Sequence, residues 1–141
     1  MMTYVANNIF AKILRGEIPC HKIYEDEHAL AFMDVMPMAD GHCLVIPKAP
    51  SCGLLDADPA VLAELMPIVQ KVARAAVAAA GADGFQLRQY NEGAAGQTVF
   101  HLHFHILPMK DGIPLGPHTG KMADQAVLAE QAEKIKKSMS R

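Results

Sequence analysis

From His101 to Leu107 the chain reads His-Leu-His-Phe-His-Ile-Leu, a strict alternation of polar and apolar residues that ends in an apolar pair. Successive side chains of a strand point to opposite faces. This stretch therefore lines one surface with His101, His103 and His105 and turns Leu102, Phe104 and Ile106 into a core. A helix to cover that core is written nearby. Asp58 followed by Pro59 is a helix start, and Leu62, Leu65, Met66, Val69, Val72, Ala73 and Ala76 recur at helical spacing until Gly81. It should be the longest helix, kinked or broken near Glu64 to Met66 because Pro67 removes a backbone donor.

The other elements are shorter. Asn7 and Asn8 can cap a helix carrying Ile9, Phe10, Ile13 and Leu14 on one side, with Gly16 placed to end it. Residues 20 to 25 and 29 to 35 read as strands around the turn Asp26-Glu27-His28. Met36 to Gly41 reads as a loop, followed by the buried strand Cys43-Leu44-Val45-Ile46 and its closing residues Pro47 and Pro50. Strands are expected at 84 to 90 and 98 to 107, separated by a glycine-rich loop from Asn91 to Gly96. Residues 109 to 122 read as loop, and 123 to 138 as a last helix whose Lys134, Lys136 and Lys137 suit its C-terminal dipole. The sum is an α+β fold on an antiparallel sheet of about five strands, with one long and two shorter helices.

Of the 141 residues, 51% are hydrophobic and 20% charged, which predicts one domain over 1–141, with the loop and helix of 109–141 as its C-terminal part. A net charge of -2 without any Lys/Arg block argues against duplex nucleic acid or an anionic membrane as partner. A small anionic ligand needs only a local site. Cys20, Cys43 and Cys52 are odd in number and form no Cys-x-x-Cys pair, so the natural setting is a reducing cytoplasm without a disulfide framework or zinc ribbon. Met1 to Leu14 lacks the pattern of a signal peptide, and no apolar run approaches the roughly 20 residues of a membrane helix.

One histidine on a strand is as readily structural as functional; three in alternation are hard to ascribe to packing. A metal is the first rival reading, since imidazole ligates zinc. At a rise of ~3.3 Å per residue, His101 and His105 lie ~13 Å apart, whereas ligands of one ion converge to within ~4 Å. One ion cannot take all three, although two of them with His42 remain an alternative. A row of imidazoles suits an extended anion better. Ring nitrogens donate to phosphate oxygens, and one imidazole with a lone pair can attack phosphorus if its other nitrogen is held by an acceptor.

The same residues fit the H-φ-H-φ-H-φ-φ signature of the histidine triad (HIT) proteins. Phe32-Met33-Asp34, Gly41-His42-Cys43-Leu44-Val45-Ile46-Pro47-Lys48, Asn91-Glu92-Gly93 and Gly96-Gln97-Thr98-Val99 stand in order and look like that family's further blocks. The resemblance runs from about Asn8 to Pro108, and the tail Gly116-Pro117-His118-Thr119-Gly120-Lys121 followed by a helix looks like the family's bacterial, Hint-like branch. The resemblance implies a HIT-like fold, a homodimer, no cofactor and a small purine nucleotide as ligand. His103 resembles the nucleophile that takes up a nucleoside monophosphate, and His105 a ligand of its α-phosphate. His101 and His42 look like the partners that orient the site, and Asp34 like the carboxylate that holds the ribose hydroxyls. Ile9, Phe10, Ile13, Phe32 and Val35 resemble the walls around the base. Asn91, Gln97 and Thr98 match polar groups near the phosphate and the departing group, where Gly96 lets the backbone come close.

Plainer readings stand beside these: Asp34 as a cap for the loop after it, Asn91 with Gly93 as an ordinary turn, and Ile9, Phe10 and Ile13 as core. His21, His28 and His118 match no catalytic position and read as surface. Two departures limit the resemblance. Asn8 and Ala11 stand where some members carry a Cys-x-x-Cys zinc site, and the chain has no Trp for the tail of the eukaryotic branch. The activity implied is hydrolysis at the α-phosphate of adenosine 5'-phosphoramidates or related esters through a nucleotidyl-His103 intermediate. The alternatives are a dinucleoside polyphosphate hydrolase, a nucleotide-binding regulatory protein with residual catalysis, and a metal-binding protein.

Overall fold

The computed structural model describes residues 3–117 and 121–139; His118 lies outside them. The first helix, α1 (Ile9–Leu14), starts at Asn8, whose side chain accepts the Ala11 N–H at 2.9 Å. The strands β1 (Lys22–Glu25) and β2 (Ala29–Met33) form the expected hairpin, its turn held by Asp26, whose carboxylate accepts the N–H groups of His28 and Ala29. β3 (Cys43–Pro47), the long helix α2 (Pro59–Ala80), β4 (Gly84–Arg88), β5 (Phe104–Met109) and α3 (Gln125–Met139) complete the order. The five strands make one sheet in the order β1-β2-β3-β5-β4, every pair antiparallel.

β2 and β3 are buried along their whole length because both faces of the sheet are covered. On one face Ala29, Ala31, Met33, Cys43, Val45 and Ile106 pack with Leu65, Val69, Val72 and Ala76 of α2 and with Leu128, Ala132 and Ile135 of α3. On the other, Leu30, Phe32, Leu44 and Ile46 pack beneath Phe10 of α1. Burial pushes the Cys43 thiol up to about 12, so it packs as an inert apolar group. β5 pairs with β3 so that His105 stands opposite Leu44, which sets the histidines on the α1 face.

Two expectations need correction. The strand read at 98–107 begins only at Phe104 and runs on to Met109. Ahead of it the backbone leaves the ladder: the Leu102 N–H goes to Ser51 O at 2.9 Å, and Val99 O accepts from the Gln97 side chain. The polar and apolar alternation survives, since Leu102, Phe104 and Ile106 all enter the core. The second correction concerns Pro67, which does not break α2. Its missing N–H orphans the Ala63 carbonyl, but Ala63 and Pro67 lie on the exposed side, where water can serve that oxygen. Element ends differ by one or two residues elsewhere, as at Arg88, which ends a strand expected to reach 90. Among the described residues no helix is long and apolar enough to cross a membrane.

Replacing Pro67 by Ala restores a helix bond at an exposed site and is expected to stabilise the protein by about 1–3 kcal/mol. Urea denaturation should show a higher midpoint at an unchanged slope. An unchanged or lower midpoint would mean that the proline is compensated by unfolded-state entropy.

Candidate active site

The turn of backbone before β5 carries the first two histidines. His101 is fully buried, and its Nε2 faces the Pro47 carbonyl at 2.8 Å, so that nitrogen carries the proton. Its Nδ1 is then an acceptor and receives the Tyr4 hydroxyl at 2.7 Å. His103 points its Nδ1 at the His101 carbonyl, 2.7 Å away, so the proton again sits on the nitrogen that meets an acceptor. The lone pair of His103 is therefore on Nε2. The ring lies edge-on to Phe10 at 4.8 Å between centroids and 5.1 Å from the ring of His105.

A second chain of bonds fixes His105. The Met38 N–H donates to His42 Nδ1 at 3.0 Å, which leaves the proton of neutral His42 on Nε2. His42 Nε2 meets His105 Nδ1 at 3.0 Å and donates to it, so His105 carries its own proton on Nε2. Asp34 stands beside the pair, Oδ2 at 3.4 Å from His42 Nε2 and 3.8 Å from His105 Nδ1. Its other oxygen accepts the Met36 N–H at 2.8 Å, so the carboxylate does cap the loop that follows while one oxygen stays at the imidazoles. The result is two neighbouring rings of opposite character: a lone pair on His103 and an N–H on His105.

Asp34, His42 and His105 offer ligand atoms within 4.8 Å of one another, close enough for one ion. Of the three, His42 is not set to ligate one. A ligating imidazole turns its other N–H toward an acceptor. Here the second nitrogen of His42 receives an N–H instead, and the nitrogen that would bind is the one that keeps the proton.

The remaining residues divide. Phe10, Phe32 and Ile13 gather in the small cluster beneath α1, next to His103, while Ile9 is exposed. Val35 packs instead against the α2-side core, and its carbonyl accepts the Ala123 N–H at 2.8 Å. Gln97 is buried and spends its amide within the protein, donating to Cys52 O and Val99 O and accepting the Glu92 N–H. That grip holds Glu92 at φ +73, backbone that side chains other than glycine rarely adopt. Asn91 pairs with Gln89 and accepts the Leu54 N–H. Thr98 is exposed and Gly96 turns the loop at φ +97. His21 is half-buried and meets Gln125 of α3 at 2.7 Å in an exposed contact, and His28 is exposed beside Glu27 and Glu64.

Sequence reasoning missed Tyr4 and Tyr90, whose ring lies 5.7 Å edge-on from that of His105. No periodicity links Tyr4 to a partner 97 positions away. Tyr90 adjoins the Asn91 motif, which was the available signal.

The model of the HIT domain family matches residues 15–112, and the chain belongs to this family. An Arabidopsis thaliana protein named as an adenylylsulfatase is 44% identical over 103 residues, 73% of this chain but only 52% of that relative. The chain thus aligns with about half of that protein. A Schizosaccharomyces pombe protein named as an adenosine 5'-monophosphoramidase is 40% identical over 100 residues, 71% of this chain and 72% of its own. Among solved structures, a Hit-like protein of Bartonella henselae, crystallised with an unknown ligand, superposes with a TM-score of 0.93 at 49% identity, over 97% of this chain and 99% of that one.

Burial holds the imidazoles of both His101 and His103 below the ordinary value of 6.5. The unfolded chain therefore binds protons at these rings sooner than the folded one as pH falls. Stability from this source is complete above pH 6.5 and is lost as pH drops toward the lowered folded values. Denaturation at a series of pH values, with imidazole titration followed by NMR, should show that trend. Ring pKa values at or above 6.5 would overturn it.

Proposed function

We propose that the protein is a cytoplasmic nucleotide hydrolase that cleaves the α-phosphate linkage of adenosine 5'-phosphoramidates or related nucleotide esters through a nucleotidyl-His103 intermediate. The observation that carries this reading is the pairing of tautomers: His103 presents a lone pair on Nε2 because the His101 carbonyl holds its Nδ1–H, and His105 presents an N–H beside it. Nε2 of His103 attacks the α-phosphorus, the bond from phosphorus to the leaving nitrogen or oxygen breaks, and the leaving group departs with the bonding electron pair and takes a proton from solvent. Water then attacks the same phosphorus, the bond to His103 breaks, and the nucleoside monophosphate is released. The N–H of His105 serves the phosphate oxygens as negative charge grows on them. The names of the plant and yeast relatives support a nucleotide 5'-phosphoryl substrate.

Phe10, Ile13 and Phe32 provide an apolar wall for a purine base, and Asp34 Oδ2 an acceptor for ribose hydroxyls. Gln97 acts by shaping the loop at Glu92, since its amide is committed within the protein, and Asn91, bonded to Gln89 and Leu54, stands next to that loop as a polar group near the phosphate. The enzyme works as a homodimer, a reading supported by the sheet edge at β4, where Phe85 and Leu87 are exposed.

The intermediate is tested by intact-mass measurement after rapid quenching with a chromogenic adenosine ester, which should show an adenylyl adduct on His103. His103→Ala should lower kcat by orders of magnitude while nucleoside monophosphate binding persists. Retained turnover in that variant would sink the mechanism.

Asp34→Ala should weaken kcat/KM for a ribonucleotide by about ten- to a hundredfold, the equivalent of the roughly 1.5–3 kcal/mol of a bond to a charged group. It should also lower the melting temperature, because Oδ1 caps the loop at Met36. Combined with a 2',3'-dideoxy substrate the variant should cost far less than the sum of the two separate losses. Full additivity would leave Asp34 with the cap alone.

A further inference from the structure

Tyr4 precedes the segment 15–112 that matches the family, yet its hydroxyl reaches the buried His101 ring at 2.7 Å, with the two rings edge-on at 5.6 Å between centroids. His101 supplies the carbonyl that holds His103 Nδ1–H. Its own ring has one nitrogen committed to Pro47 O and the other to Tyr4. Without the phenol, Nδ1 would be an acceptor shut away from water, which is costly. The ring would escape that only by moving its proton to Nδ1, which would set the Nε2 lone pair against the Pro47 carbonyl. Either change strains the main chain of His101 at the carbonyl that aims the neighbouring imidazole.

The geometry points to Tyr4 as a positioning residue for the nucleophile: clamped between a phenol and a carbonyl, His101 cannot shift the oxygen that directs Nε2 of His103 toward phosphorus. This inference rests on His103 being the nucleophile. Tyr4 itself touches no reacting atom, so its signature is a loss in the chemical step with substrate binding left intact. Phe at this position preserves the edge-on ring contact and removes only the hydroxyl.

The test compares the full chain with Tyr4→Phe, His103→Ala and Asp58→Ala. Asp58 caps α2 through the Ala60 N–H at 2.8 Å and bonds none of His42, His101, His103 and His105, so its loss is expected to lower stability alone. With a chromogenic adenosine ester, Tyr4→Phe should lower kcat by roughly ten- to a hundredfold with KM changed by less than about threefold. Nitrogen-15 spectra should show the His101 ring leaving its single Nε2–H tautomer in that variant. Asp58→Ala should melt earlier yet keep both kcat and the His101 signals. If Tyr4→Phe keeps wild-type kcat while His103→Ala is inactive, the role of Tyr4 falls and the hydrolase mechanism stands. If Asp58→Ala slows the reaction as much, the rate follows stability and the role of Tyr4 falls likewise. Turnover retained in His103→Ala would overturn the mechanism, and the role of Tyr4 with it.

Discussion

The pairing of β3 with β5 is the constraint on which the rest depends. With Leu44 opposite His105, the side chains of β5 divide between a face sealed by α2 and α3 and a face only partly covered by α1. A slip of one residue would drive His105 into the helix-side core and bring Phe104 and Ile106 out. Both strands bury apolar residues on two faces, so such a slip has no compensating arrangement. Register is thus specified strongly in the middle of the sheet, where the imidazoles hang, and the more exposed β4 sits outside it as an edge.

On that frame the imidazoles acquire direction from fixed acceptors and donors. A neutral imidazole has one donor and one acceptor nitrogen, and the protein decides which is which. The carbonyls of Pro47 and His101 take the protons of His101 and His103, and the N–H of Met38 does the reverse for His42. Burial keeps the first two rings neutral, so these assignments persist into mildly acidic solution. Two short polar chains, one from Tyr4 and one from Met38, converge on adjacent rings and leave opposite chemistry on them. The loop that contains Met38 is itself held from behind, since Gly116 N–H donates to Met38 O at 2.7 Å and Gln131 of α3 accepts from Gly41 N–H at 3.3 Å. The C-terminal segment, read from sequence as loop and helix, is therefore part of what holds His42.

Much was legible in the residues themselves. Alternation at 101–107 placed the histidines on one face, helical periodicity found α2, and Asn8 and Asp58 marked helix starts because a side-chain oxygen at that position serves an orphan N–H. These are local rules, carried by neighbours in sequence. The same locality misled where a distant partner intervened: Ser51 took the Leu102 N–H and cut the strand short, and solvent beside Ala63 let α2 run through Pro67.

By itself the sequence determined the order and type of the secondary elements, the apolar faces and the set of histidines, because each depends on spacing along the chain. The tertiary structure alone decided which nitrogen of each ring holds its proton. It also gave Asp34 both a loop cap and a place beside His42, and it committed the amide of Gln97 to shaping the Glu92 loop. The physical reason is that a hydrogen bond's direction is set by the group it meets. Those groups, Tyr4, Pro47, Met38 and Cys52, come from segments that only folding brings to the histidines and their loop.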